Sequence, residues 1–236
     1  MASYAELEVA TNFTFLAGGS HPEELVATAK ALGLAAIAVT DRNTLAGAVR
    51  AHIAAKEAGI KFIVGARLDL QDAPSLLAYP TDRAAYGRLC RLLTQGQRRA
   101  EKGQCTLFLD DVATHAEGLI FIVVPPEDFL APCPMSSPGL TGRPSNHGSL
   151  GNEAQELLDS SLRGHDKENC EAQLRRIKQA LGKKTPLYLA ARHCYRGNDR
   201  ARIAALAELG GRADVPLVAT NAVLYHAPHR RALQDV

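Results

Sequence analysis

The chain has 236 residues, enough to bury a sizeable core as one large barrel or as two small domains. Its 27 basic and 25 acidic side chains leave a formal charge of +2, too weak a field to argue nucleic-acid or membrane binding by itself. The cysteines Cys90, Cys105, Cys133, Cys170 and Cys194 are odd in number and lack a Cys-x-x-Cys spacing, which excludes a zinc or redox pair of that kind and points to reduced, cytoplasmic thiols.

Residues 4–10 alternate in polarity with period two and predict a strand. They carry Glu6 and Glu8 rather than a basic segment and an apolar run, so no secretory signal is expected. Ser20-His21-Pro22-Glu23 has a capping-box pattern with proline in the first turn, opening a helix that Gly33 closes. Residues 35–39 predict a short buried strand. A helix over 45–58 follows, with Val49, Ile53 and Ala54 on its apolar face and Gly59 as its stop.

The same grammar predicts strands over 60–64 and 75–79, a helix over 82–93 and a strand over 119–124. That last run is the longest apolar one and is far too short to span a membrane. Beyond it, residues 168–181 and 200–209 predict helices, and 187–191 and 217–220 strands. Repeated strand–helix units of this length imply parallel strands joined by helical crossovers, and their number favours a closed barrel over an open sheet.

Residues 131–165 interrupt the pattern. Their Pro, Ser, Gly and Asn density, as in PCPMSSPGLTGRPSNHGSLG, supplies too little apolar surface to offset ordering entropy. They are expected to form a disordered surface insertion between a first barrel part, 1–130, and the remainder, 166–236.

The stretch YAELEVATNFTFLAGGSHPEELVATAKALGLAAIAVTDRNTLAGAVRAHIAAKEAGIKFIVGARL, with YPTDRAAYGRLCRLLTQG and PLVATNAVLYH further on, resembles the polymerase-and-histidinol-phosphatase (PHP) domain at the N-terminus of bacterial polymerase III alpha subunits, most of all their error-prone, damage-induced branch. The resemblance covers residues 4–130 and 185–236. It implies an α/β fold, a distorted seven-stranded (β/α) barrel. It also implies polymerase modules that would begin where this chain stops, so the activity of a DNA-directed DNA polymerase belongs to a longer parent. The implied partners are those modules and accessory mutagenesis proteins, with DNA reached only through the parent polymerase and no membrane.

Active PHP barrels cluster His and Asp/Glu metal ligands at the C-terminal ends of their strands. The resemblance puts Glu6 and Glu8 where a His-x-His opens the site, Ala17 in place of an Asp, Arg42 in place of the His after Asp41, and Arg67 in place of a Glu. Ala222 and Leu224 stand for a closing Asp-x-His, and only Asp41 and His193 keep a ligand-type side chain. Guanidinium groups stay protonated at any working pH. Arg42 and Arg67 are therefore expected to pair with Glu6, Glu8 and Asp41, turning a metal cage into a salt-bridge network.

These substitutions imply no catalytic residue, no metal and no cofactor. The expected role is a noncatalytic scaffold for an error-prone polymerase; the alternatives are a metal-dependent phosphoesterase or 3′–5′ exonuclease of the PHP family, or a protein-interaction module. Other groupings read as structural. His226 and His229 flank Pro228 in a surface turn, His193 and Cys194 are strand neighbours facing opposite ways, and His21 belongs to a capping turn. Gly182-Lys183-Lys184-Thr185 lacks the upstream glycine of a phosphate loop. Arg88, Arg91, Arg98, Arg99 and Lys102 form a basic cluster that could touch a single-stranded DNA backbone, but no aromatic residues interleave with it for base stacking.

Overall fold

The computed structural model describes residues 4–126, 169–195 and 197–234. The expected insertion at 131–165 lies outside them. The first sheet holds β1 (Ala5–Glu6), β2 (Ala36–Val39) and β3 (Lys61–Val64), parallel and in that order. Their crossovers are α1 (Pro22–Ala31) and α2 (Ala48–Ala58). A second sheet follows in the order β4 (Ala66–Leu68), β5 (Leu76–Pro80), β6 (Leu119–Val123), β7 (Leu187–Arg192) and β8 (Leu217–Thr220). Its helices are α3 (Arg83–Arg99), α4 (Leu109–Thr114), α5 (helical residues 169–181) and α6 (Asp199–Ala213), and the described chain closes with a 3-10 turn at Pro228–Arg230 and α7 (Arg231–Gln234).

The fold is therefore mixed α/β, but not wholly parallel. Strand β5 runs antiparallel to both β4 and β6. Residues 69–75 contain no helix, so the chain folds back on β4 as a hairpin rather than crossing over. Two helices, α3 and α4, then intervene, and β6 re-enters at the end where β5 left, Leu119 pairing with Pro80. Only Gly65 separates β3 from β4, where the chain changes partner from β2 to β5. A side chain there would begin 2.8 Å from the Tyr79 ring, which explains the glycine.

Single parallel bridges touch across the two sheets, Val9 with Val223 and Arg42 with Arg67. The amide of Val223 donates to Glu8 O at 2.9 Å and that of Arg67 to Asp41 O at 3.0 Å. One apolar cluster lies between the five-stranded sheet and α3 to α6, with Leu76, Leu89, Leu92, Phe121, Ile177 and Leu206 at its centre. Another lies between the three-stranded sheet and α1 and α2. A third gathers Ala38, Leu77, Tyr79, Ile122 and Ala190 from both sheets, so β5 is buried on both faces and reads as a continuous apolar run.

Helix α2 corrects the predicted apolar face in part, since Ala54 packs against the core as expected. Val49 and Ile53 are exposed, at 66% and 52%, and Ala48, Ala51 and Ala55 are buried instead. Alanines allow α2 to lie close against α1, so the small residues rather than the branched ones form the contact face. Gly59 ends this helix in the left-handed region, φ +66°, as a glycine permits. The cap of α1 also shifts by one residue. His21 is the N-cap, its amide donating to Glu24 at 2.9 Å, because the Ser20 hydroxyl is taken by His226. Among the described residues no helix is long and apolar enough to cross a membrane, and Cys90, Cys105, Cys170 and Cys194 form no disulfide.

Candidate functional site

Three carboxylates, Glu6, Glu8 and Asp41, are buried where β1, β2 and β8 end. Glu6 closes β1 and accepts from the Tyr4 hydroxyl at 2.9 Å, the Glu8 amide at 3.0 Å and the Asn221 amide at 3.3 Å. Burial nonetheless pushes its carboxyl above the usual range, against the pull of those donors. Glu8 accepts from Arg192 Nε at 2.9 Å, from a second nitrogen of the same guanidinium, and from the Thr220 hydroxyl at 2.8 Å. The Glu8 and Arg192 side chains are each only 6% exposed. This is a forked, charge-assisted pair in the interior, the geometry for which arginine is suited.

Asp41 follows β2 and holds the loop 11–20. It accepts from the Thr11 amide at 2.7 Å, the Thr11 hydroxyl at 2.8 Å and the Thr14 hydroxyl at 2.7 Å. Burial raises its carboxyl too, with Thr14 and Thr11 opposing. Gly47 packs against the same group: a Cβ there would lie 2.5 Å from Asp41 Oδ2.

The predicted salt-bridge network has a different cation. Arg42 and Arg67 do not reach Glu6, Glu8 or Asp41; both bind Asp69, at 2.9 Å each. Strand geometry accounts for this. Ala66 and Leu68 point into the core at 0% exposure, so Arg67 between them must face the other way, on the side of Asp69 two residues on. Arg42, next to the buried Asp41, likewise turns out, its side chain 51% exposed. Burial would raise the Asp69 carboxyl, but the Ser75 hydroxyl and the Arg67 and Arg42 guanidiniums hold it below the ordinary value.

His193 is also misplaced by the sequence reading. It is exposed, stacked edge-on against Tyr195 at 4.7 Å, while its neighbour Arg192 turns inward. Ala17 is half-buried in the loop pinned by Asp41, Ala222 sits at φ +50°, and Leu224 contributes its carbonyl to the Gly19 amide at 2.7 Å. Arg192 is the functional residue that sequence reasoning missed. Period two from Tyr188 and Ala190 along β7 would have placed it on the inner face.

The donor set does not fit the divalent metal centre implied by the resemblance. Among the described residues no three His, Cys, Asp or Glu side chains converge as ligands. Both oxygens of Glu8 are occupied by Arg192, with Thr220 as a third donor, so a cation at Glu8 would have to displace a fixed positive charge from a buried site. What the arrangement does chemically is neutralise and orient, joining the segment just after β1 to β7 and β8.

The PHP domain family matches residues 6–185. The error-prone DNA polymerase of Caulobacter vibrioides is 46% identical over 234 residues, which take up 99% of this chain and 18% of the relative. The error-prone DNA polymerase of Rhodopseudomonas palustris strain HaA2 is 44% identical over 259 residues, covering 99% of this chain and 21% of the relative. The chain thus spans about a fifth of the length of these curated relatives. Among solved structures, a candidate metal-dependent phosphoesterase from Bifidobacterium adolescentis superposes with a TM-score of 0.55 at 15% identity, over 96% of this chain and 89% of that one. At that identity the likeness is one of fold.

Proposed function

Because this chain belongs to the PHP domain family, we propose that it is the PHP module of an error-prone DNA polymerase and serves there as a noncatalytic scaffold for the polymerase segments. The single observation that carries this reading is the Glu8–Arg192 pair, a protein cation seated among the carboxylates of a site built for inorganic ones. The names and lengths of the relatives support a parent about five times as long, an error-prone DNA polymerase; its work in damage-induced synthesis and its place in the cytoplasm are part of the proposal. In that parent the polymerase modules supply the contact with DNA at the site of synthesis, and accessory mutagenesis proteins are further partners.

On this reading the two sheets act as one distorted seven-stranded barrel, with β3 and β4 counting as a single strand bent at Gly65. The bridges at Val9–Val223 and Arg42–Arg67 and the apolar cluster shared by both sheets support it. The phosphoesterase or exonuclease alternative would need a ligand set that Glu6, Glu8 and Asp41 do not offer.

A graft tests the scaffold role. This chain, substituted for the matching segment of the Caulobacter relative, should give a soluble polymerase whose yield falls when Arg192→Ala unfolds the graft. The isolated chain should release no nucleotide from a 3′ end with manganese or zinc present. A fully active polymerase carrying an unfolded graft would defeat the scaffold role, and metal-dependent 3′ cleavage by the isolated chain would defeat the noncatalytic one.

A further inference from the structure

From sequence alone, the basic residues around α3 lack aromatic neighbours, but the fold brings them in from a distant loop. Loop 11–20 reaches the C-terminal end of α3, where Phe13 and Phe15 line an open hollow of about 570 Å³ together with Arg42, Asn43, Gln97 and Lys102 and one carboxylate, Glu101. That volume lies within the range of about 300–1,000 Å³ in which small organic groups bind. A second hollow lies along α3 itself, lined by Arg91, Thr94, Gln95, Arg98 and Arg99 and by no acidic side chain. Arg91 to Arg98 spans about 10 Å of helix at 1.5 Å per residue.

Phe15 is 88% exposed and Leu16 beside it 78%. This exposure is built, not slack. Thr11 and Thr14 bind Asp41, the Phe13 amide donates to Thr11 Oγ1 at 3.2 Å, and Leu16 is held at φ +59°, a costly conformation for a branched side chain. Further along, Arg99 lies over the half-exposed Phe108 ring at 5.4 Å while also bound to Asp111. The consecutive residues Gln97 and Arg98 line one hollow each, so cations, exposed rings and side-chain amides occupy neighbouring faces of the end of α3, a composition that binds unpaired bases by stacking and their backbone by charge.

We propose that this surface binds single-stranded nucleic acid, with a base stacked on Phe15 in the first hollow and backbone phosphates on Lys102, Arg98 and Arg91. Asn43 Oδ1 is held by the Asp69 amide and Gln97 Nε2 by the Asn43 carbonyl, which leaves Asn43 Nδ2 and Gln97 Oε1 for the base edge. A duplex offers no free base face to Phe15 and binds less tightly. The proposal does not depend on the scaffold reading, since it concerns the isolated chain.

Fluorescence anisotropy of a labelled oligothymidylate of about twelve nucleotides, titrated with the 236-residue chain, tests it. Binding should saturate and weaken with salt, the logarithmic slope being about −0.7 per phosphate neutralised. Phe15→Ala should weaken binding by about fivefold or more, the loss of one stacked base, with an unchanged circular dichroism spectrum because the ring is exposed. Arg98→Ala should reduce the salt slope. An affinity unaltered by Phe15→Ala, or a duplex bound as tightly as the single strand, overturns the proposal in favour of electrostatic contact alone. No saturable binding at about 50 mM salt overturns it as well, leaving the Phe15 face to a protein partner.

Discussion

Replacing Arg192 with methionine is expected to lower the free energy of unfolding by about 3–5 kcal/mol, because it strands a buried carboxylate. Glu8 would keep the Thr220 hydroxyl but lose both guanidinium contacts in a site where its side chain is 6% exposed. The pair itself adds far less than this figure, since desolvating two charges offsets most of their attraction. Glu8→Gln in the Arg192→Met background should therefore recover most of the loss. Urea unfolding separates these statements: the midpoint should fall in the single variant and rise again in the double, with the slope unchanged. A single variant as stable as the parent would mean that Glu8 is wet, or otherwise paired.

Asp41→Ala is expected to cost roughly 3 kcal/mol, because it leaves buried donors of Thr11 and Thr14 without their shared acceptor. Its effect is also local, since amide hydrogen exchange should quicken over residues 11–18 before it does in β2. The pH dependence follows from burial, which raises the Asp41 carboxyl above its ordinary value of 3.8. A carboxyl raised in the folded state contributes stability that is fully present below the unfolded value and is lost as pH rises through the folded one. The deficit of Asp41→Ala should accordingly be larger near the ordinary carboxylate range than at about pH 7. A deficit that shrinks on acidification would show the Asp41 carboxyl to be lowered instead.

Both substitutions bear on the same change of use. On the proposed reading, positions that the resemblance assigns to metal ligands hold the fold itself: Glu8, just past β1, ties that segment to β7 and β8, and Asp41 ties β2 to the loop that carries Phe13 and Phe15. A metal centre needs ligands left open toward a cation. Here those acceptors are already filled by an arginine, threonine hydroxyls and backbone amides.

Much of the fold was legible because period two and helical spacing are local signals. The strands at 36–39, 61–64, 76–80 and 187–192 and the helix stop at Gly59 stand where the patterns put them. Direction was less legible, since the reversal at β5 depends on a helix missing from residues 69–75, and an absent crossover leaves little trace in composition. The inner face of α2 escaped because Ala48, Ala51 and Ala55 weigh less in an apolar pattern than Val49 and Ile53, although close helix packing prefers the smaller set.

At the site, residue types were legible but pairings were not. Two arginines standing where the resemblance puts a His and a Glu suggest partners among the nearest carboxylates, yet Arg42 and Arg67 turn toward Asp69. The cation that enters the pocket, Arg192, comes from 184 residues away in the chain. The aromatic residues missing from the basic cluster are likewise supplied by tertiary structure, with Phe13 and Phe15 meeting Gln97 and Lys102 across the first hollow.

Metal content, measured by elemental analysis after dialysis against manganese and then zinc without chelator, decides whether the pocket holds an inorganic cation or only the Arg192 guanidinium. Less than about one-tenth of an equivalent should be retained per chain, because the Arg192 guanidinium already holds the carboxylate a divalent ion would need. Two or three tightly held equivalents per chain, lost on substituting Glu6, Glu8 or Asp41, would contradict a pocket filled by the guanidinium alone.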